Sequence, residues 1–321
     1  MLKIDFMRAY KLCVETCMGV KTGENVLIMT DPENIDKAEA LAATSYMANA
    51  NPVILCQASS KKVAEEPGQM VSECMKKADV ILVSLPFFYA AQFFHTRARK
   101  EALSAGARFA IVWVTPEIAG ITHEEILETR MLSEKFAGLL TQAKKARVST
   151  LKGTDISMSL EGRTSLMLSS LLTKPGDSGT IPDFAESAVA PVEGTAEGVV
   201  FIDGSMAGLG AVKDPIVWRV EKGKVVEMTG QQEAQKLKDM LKWADANAVH
   251  IAELGIGAVA NRGVLGEPDD KKMLGTGHIA IGDNRFGGGN IVSDVHLDGV
   301  FLNMTLELDG KVVMRDGVLQ I

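Results

Sequence analysis

Val80-Ile81-Leu82-Val83-Ser84-Leu85, closed by Pro86, and Arg108-Phe109-Ala110-Ile111-Val112-Trp113-Val114 are two short apolar runs separated by a stretch of helical pattern. Apolar side chains at consecutive positions suit a strand covered on both faces, and a helix between two such strands brings the chain back for parallel pairing. Toward the N-terminus, residues 25–30 and 52–57 repeat the motif, again with helical patterns between them. This rhythm predicts an α/β domain with a mostly parallel sheet flanked by helices and joined by right-handed crossovers. Where a nucleotide-binding sheet would carry a glycine-rich loop after its first strand, the chain has Thr30-Asp31-Pro32-Glu33, so no nucleotide site is expected there.

Toward the C-terminus a helical stretch at 122–145 leads into Arg147, and by Gly153 the pattern has changed. Beyond it come glycine turns and short alternating strands at 198–203, 216–221, 224–228, 300–308 and 311–315, with one helix at 231–248. Asp309-Gly310 marks a tight hairpin, because both residues readily take positive φ. A chain of 321 residues exceeds the usual size of one hydrophobic core. The expected division is therefore an α/β domain over 1–147 and a β-rich α+β domain over 148–321.

Apolar residues make up 46% of the chain and charged residues 23%, an ordinary globular balance. A net charge of -7 and a pI near 5.4 argue against nucleic acid or an anionic membrane as partner and leave short peptides or small molecules. Asp5, Arg8, Lys11 and Glu15 interrupt any secretory leader, and the apolar run at 80–94 is too short to cross roughly 30 Å of hydrocarbon. A cytoplasmic setting follows as the expectation. The four cysteines, Cys13, Cys17, Cys56 and Cys74, contain no C-x-x-C pair and read as core thiols.

Chemistry concentrates in the C-terminal half. In His296-Leu297-Asp298 an extended backbone would turn the imidazole and the carboxylate to the same side, where they could grip one ion. The bland alternative is a surface histidine beside a loop aspartate. Gly275-Thr276-Gly277-His278-Ile279-Ala280-Ile281-Gly282-Asp283-Asn284 sets a second histidine on an apolar strand framed by glycines, as a site or as an ordinary buried histidine. Glu253, alone among apolar neighbours, needs either a salt-bridge partner or a cation. Gly255-x-Gly257-x-x-Ala260 imitates a dinucleotide fingerprint, but Gly263, Gly266 and Pro268 leave no room for the helix such a motif opens.

Several blocks, in number and order, resemble the aminopeptidase T and aminopeptidase S family of metallopeptidases, the leucyl aminopeptidase-like enzymes. They include 20–28 (Val20-Lys21-Thr22-Gly23-Glu24-Asn25-Val26-Leu27-Ile28), Gly153-Thr154-Asp155, Ser159-Leu160-Glu161-Gly162-Arg163, 186–191, 193–198, Asp214-Pro215-Ile216, Ala252-Glu253-Leu254-Gly255 and 274–298. The resemblance implies a metal-dependent hydrolase that releases N-terminal residues from short peptides, working as a homodimer with one or two divalent ions (Zn, Mn or Co). It implies Glu186, Glu253, His278, His296 and Asp298 as metal ligands, with Glu186 and Glu253 as candidate bridge or catalytic base. The family's ligating tyrosine has no counterpart: the tyrosines here are Tyr10, Tyr46 and Tyr89, and the comparable position falls near Arg285. Arg285 then reads either as a contact for an anionic substrate or as a solvated loop arginine. A related branch, the 2,5-dihydroxypyridine ring-cleaving dioxygenases, uses one Fe(II) held by two histidines and a carboxylate. In that branch Glu253 stands where a histidine is expected, with His250 and His278 as nearby alternatives.

Overall fold

The computed structural model describes residues 3–57, 66–260, 264–266 and 269–321, so that Gly263 and Pro268 lie outside the described residues. The chain divides into two compact units, Met1–Arg130 with Ser169–Phe184, and Met131–Leu168 with Ala185–Ile321. The sequence position 147/148 falls within the second unit, inside the strand Lys145–Ser149.

In the first unit Asn25–Thr30, Asn51–Cys56, Val80–Ser84 and Arg108–Val112 form the expected parallel sheet, with Asn25–Thr30 between Asn51–Cys56 and Val80–Ser84. Alternate residues of each strand feed opposite faces. Val26, Ile28, Leu82 and Ala110 enter one core, whereas Leu27, Met29, Ile81, Val83 and Phe109 enter another. A fifth parallel strand, Ser178–Ile181, closes the sheet beside Arg108–Val112. Its short Ser-Gly-Thr-Ile sequence carries almost no hydrophobic pattern, which is why the sequence reading passed over it. Cys13 and Cys17 are core thiols as expected, but Cys56 and Cys74 are exposed. Cys56 ends the edge strand of the sheet, and Cys74 lies on the outward face of the helix Gln69–Lys77.

The second unit is β-rich. An eight-stranded and a seven-stranded sheet bury their inner faces in one core that includes Trp218, Ile202, Leu254, Ile279 and Phe301. The expected strand at 300–308 proves to be two: His296–Phe301 in the seven-stranded sheet and Thr305–Leu308 in the eight-stranded one. Asn303, at φ 54°, makes the corner between them. The helix expected at 231–248 is Gln232–Leu241. Beyond it the Asp245 carboxylate accepts the backbone N–H of Asn247, a local bond that competes with helix continuation, and also the backbone N–H of Asp294 and the hydroxyl of Ser293. Asp309 and Gly310 have φ of 49° and 79°, as the hairpin signal requires. Among the described residues, no helix is long and apolar enough to cross a membrane.

Trp218 is wholly buried at the centre of this core. Trp218→Ala is expected to cost about 3–5 kcal/mol of stability, read as a lower urea midpoint, because the surrounding strands cannot collapse into the space.

Candidate metal centre

Four adjacent strands of the seven-stranded sheet, Glu186–Val189, Ile251–Gly257, Gly277–Gly282 and His296–Phe301, carry the donors. Directly paired residues of an antiparallel sheet share a face, and the register does the rest. Asp298 pairs with Ala280 and Ala280 with Glu253; His278 pairs with Gly255; Glu186 pairs with Gly257. All five expected donors therefore stand on one face, each next to glycine or alanine, so large polar groups alternate with space for them. A Cβ at Gly255 would overlap the imidazole of His278, which lies across that strand. The register shifts by one residue between Ile251 and Glu253, a bulge that re-aims Glu253. On the opposite face Gly299 lies against Ile202 and Trp218, which anchors the His296 strand to the core.

The side chains close a ring. His278 Nε2 is 3.0 Å from Glu253 Oε1 and 4.0 Å from Glu186 Oε2. His296 Nε2 is 3.5 Å from Glu253 Oε2 and 3.3 Å from Asp298 Oδ1. Lys271 Nζ completes the circuit, 3.0 Å from Asp298 Oδ2 and 3.4 Å from Glu186 Oε1. Two overlapping clusters can each hold an ion: Glu186, Glu253 and His278, and Glu253, His296 and Asp298, with donor atoms in each within 4.8 Å of one another. Nδ1 of His296 donates to the carbonyl of Asp283 at 2.7 Å, which fixes the ring and leaves Nε2 to face the cluster.

Electrostatics follow from burial among these partners. For His296, burial disfavours the imidazolium, but the hydrogen bond and charge of Asp298, then Glu253 and the Asp283 carbonyl, outweigh it and raise the pKa to about 10. His278 is likewise raised, against its burial, chiefly by Glu253. Burial would lift Asp298 too, yet Lys271 and the two imidazoles hold it well below the usual carboxylate range. Glu186 goes the other way: burial raises it, and Lys271 and His278 offset that only in part. Its Oε2 has no hydrogen-bond partner among the described residues. Buried carboxylates, one buried imidazole and the 32% exposed His296, with a carboxylate oxygen left over, fit a borderline or hard divalent cation, and no cysteine is in either cluster.

A proton and an ion compete for the same imidazole nitrogen. Because the folded pKa of His296 is raised to about 10, its imidazole favours the protonated form at neutral pH in the metal-free protein, and an ion held by His296 must expel that proton. Apparent metal affinity is expected to rise with pH, about tenfold per unit for each proton displaced, as checked by chelator competition between about pH 6 and about pH 8. In the metal-free fold the sign reverses. The stabilisation from the charged imidazole is complete below the ordinary pKa of about 6.5 and is lost as pH rises through about 10.

Arg285 lies outside both clusters, 59% exposed, with its guanidinium 2.6 Å from Asp283 Oδ2. His250 is in neither cluster; its ring bonds to the carbonyl of Asn247. All three tyrosines belong to the first unit. Lys271 is the member that sequence reasoning missed: in Asp269-Asp270-Lys271-Lys272 it reads as one charge in an exposed run, and no spacing rule singles it out.

The fold matches that of a 2,5-dihydroxypyridine dioxygenase from Pseudomonas putida KT2440, with a TM-score of 0.80 and 18% identity over 99% of this chain and 98% of that one. It also matches wild-type AmpT from Thermus thermophilus, with a TM-score of 0.72 and 19% identity over 100% of both chains. At such identities the likeness is one of fold. No curated protein sequence matches the chain. The donor clusters, the family and the shared fold describe a metal-binding enzyme. The model of the family NicX: 2,5-dihydroxypyridine 5,6-dioxygenase matches residues 5–321, nearly the whole chain, and the protein belongs to that family.

Proposed function

We propose that this protein is a mononuclear Fe(II) dioxygenase that cleaves the ring of a dihydroxypyridine-like small molecule. The observation that carries the reading is the family match over residues 5–321, on a chain in which Glu253, His296 and Asp298 face one another on a single sheet surface. The ion, when bound, supplies the redox chemistry by which both atoms of dioxygen enter the opened ring.

The chain's own residues do the rest. Glu253, His296 and Asp298 would hold the ion, with Glu253 in the place of the branch's second histidine, and His278 fixes the orientation of Glu253 through its 3.0 Å hydrogen bond. Glu186, lifted by burial and with Oε2 uncommitted, takes the hydroxyl proton of the substrate. Arg285, on the segment joining the strands of His278 and His296, is the contact for an anionic substrate or product. Cytoplasmic homodimers are part of the same reading.

A second reading draws on the shared Glu253. A carboxylate common to two clusters suits a bridge between two Zn, Mn or Co ions, with Glu186 and His278 completing the second site, as in hydrolysis of an aminoacyl peptide bond by metal-activated water. The deciding experiment is anaerobic metal analysis followed by paired assays, dihydroxypyridines with Fe(II) and aminoacyl amides with Zn, Mn or Co. Oxygen uptake with ring cleavage is the expected result. Release of free amino acid without oxygen uptake would replace it with the aminopeptidase reading.

A further inference from the structure

Lys271 enters the ring of donors from outside the four strands. It sits on the single-turn helix Asp270–Lys272, and both its neighbours are tied down. Asp270 is fully buried and accepts the backbone N–H groups of Leu265 and Gly266 at 2.6 and 3.0 Å. Lys272 is buried and paired with Asp269 at 2.7 Å. Thr276 Oγ1 donates to the carbonyls of Asp270 and Met273 and pins the exit of the turn. The backbone of Lys272 and Met273, at the exit of the turn, lies against Gly257, whose missing side chain permits the approach. The ammonium is thus aimed by the fold, at the gap between Glu186 of one cluster and Asp298 of the other.

We propose that Lys271 is the built-in second cation of this site: its ammonium bridges Glu186, which belongs to one cluster alone, and Asp298, which belongs to the other alone, and so limits the protein to one ion. The proposal rests on the single-ion reading of the preceding subsection. Charge balance supports it. Among the described residues three carboxylates, Glu186, Glu253 and Asp298, belong to the ring; the ammonium of Lys271 offsets one charge and a single divalent ion the other two. A second divalent ion would have to displace an ammonium bound to two carboxylates and, even with the ammonium gone, would leave one uncompensated positive charge beside buried Glu186, Glu253 and Asp298. With the ammonium in place, Glu253 serves the ion beside His296 and Asp298, and Glu186 stays available for proton transfer.

The test counts ions. Metal-free wild-type protein is loaded with Mn(II), freed of excess by gel filtration, and analysed by mass spectrometry and by electron paramagnetic resonance. One ion per chain with an isolated-ion signal is expected for the wild type and for Lys271→Arg, which keeps the charge. Lys271→Met, of similar reach without charge, is expected to take up two ions and show an exchange-coupled pair. Two ions in the wild type, or one in a folded Lys271→Met, would overturn the proposal. Should Lys271→Met not fold, Lys271→Gln is read in its place, and the wild-type count decides on its own between support and rejection. Absence of oxygen uptake alongside a count of one would sink the dioxygenase reading and leave Lys271 in its role.

Discussion

His296→Ala and Asp298→Ala, made singly, are each expected to leave the purified protein with little bound metal. The two groups stand on the same face of one strand, 3.3 Å apart at Nε2 and Oδ1, and both face the cluster that Glu253 completes. Partners one shell beyond a metal's ligands are worth about 10- to 100-fold in affinity, so loss of a ligand itself should exceed about 100-fold. Metal content by mass spectrometry gives the first reading and chelator competition the second. Bound metal also stabilises a fold by mass action, so the melting temperature of the wild type should fall on adding chelator, and that difference should vanish in both variants. Unchanged occupancy in both would remove the pair from the ligand set. A lower melting temperature without any change in occupancy would mark them as structural.

The second large effect is expected from a residue that is no ligand. Gly255→Ala adds one methyl group at the position where the imidazole of His278 crosses its neighbouring strand. Backbone on both sides is held in the sheet, so the ring must move, and with it goes the 3.0 Å contact to Glu253. Forcing an atom into a packed site costs about 1–3 kcal/mol, and the displaced ring should lower metal affinity by at least about tenfold as well. Gly138→Ala is the matched control. Gly138 lies inside the helix His123–Gln142 with nothing within 4 Å of the added carbon, so the same change there should stabilise by about 0.5–1 kcal/mol. Equal behaviour of the two variants in denaturant and metal titrations would show that His278 tolerates a side chain at 255.

The five expected donors stood out for separate reasons. His296 and Asp298 are two apart, so the strand period alone places them together. His278 and Glu253 are polar groups inside apolar runs, where an uncompensated charge is costly. Glu186 carries no such signal and came only through the family resemblance, as did the order of the blocks around it. The resemblance also set the aminopeptidases ahead of the dioxygenases, whereas the family match favours the latter. Both share the fold, and chemistry resides in a few positions that a general likeness does not weigh separately.

By itself the sequence determined the parallel sheet of the first unit and the β-rich character of the second, and it singled out four of the five polar groups that the structure brings to one face. Those features are written in local periods, an apolar run or an alternation read over a few neighbours. Only the tertiary structure decided that Ser178–Ile181 returns to the first sheet, that the chain turns at Asn303 from one sheet to the other, and that Lys271 closes the ring of carboxylates. It also decided which small residue stands beside which donor. Each of these depends on pairing register or on contacts between residues far apart in the chain, where a shift of one position would turn every side chain to the other face.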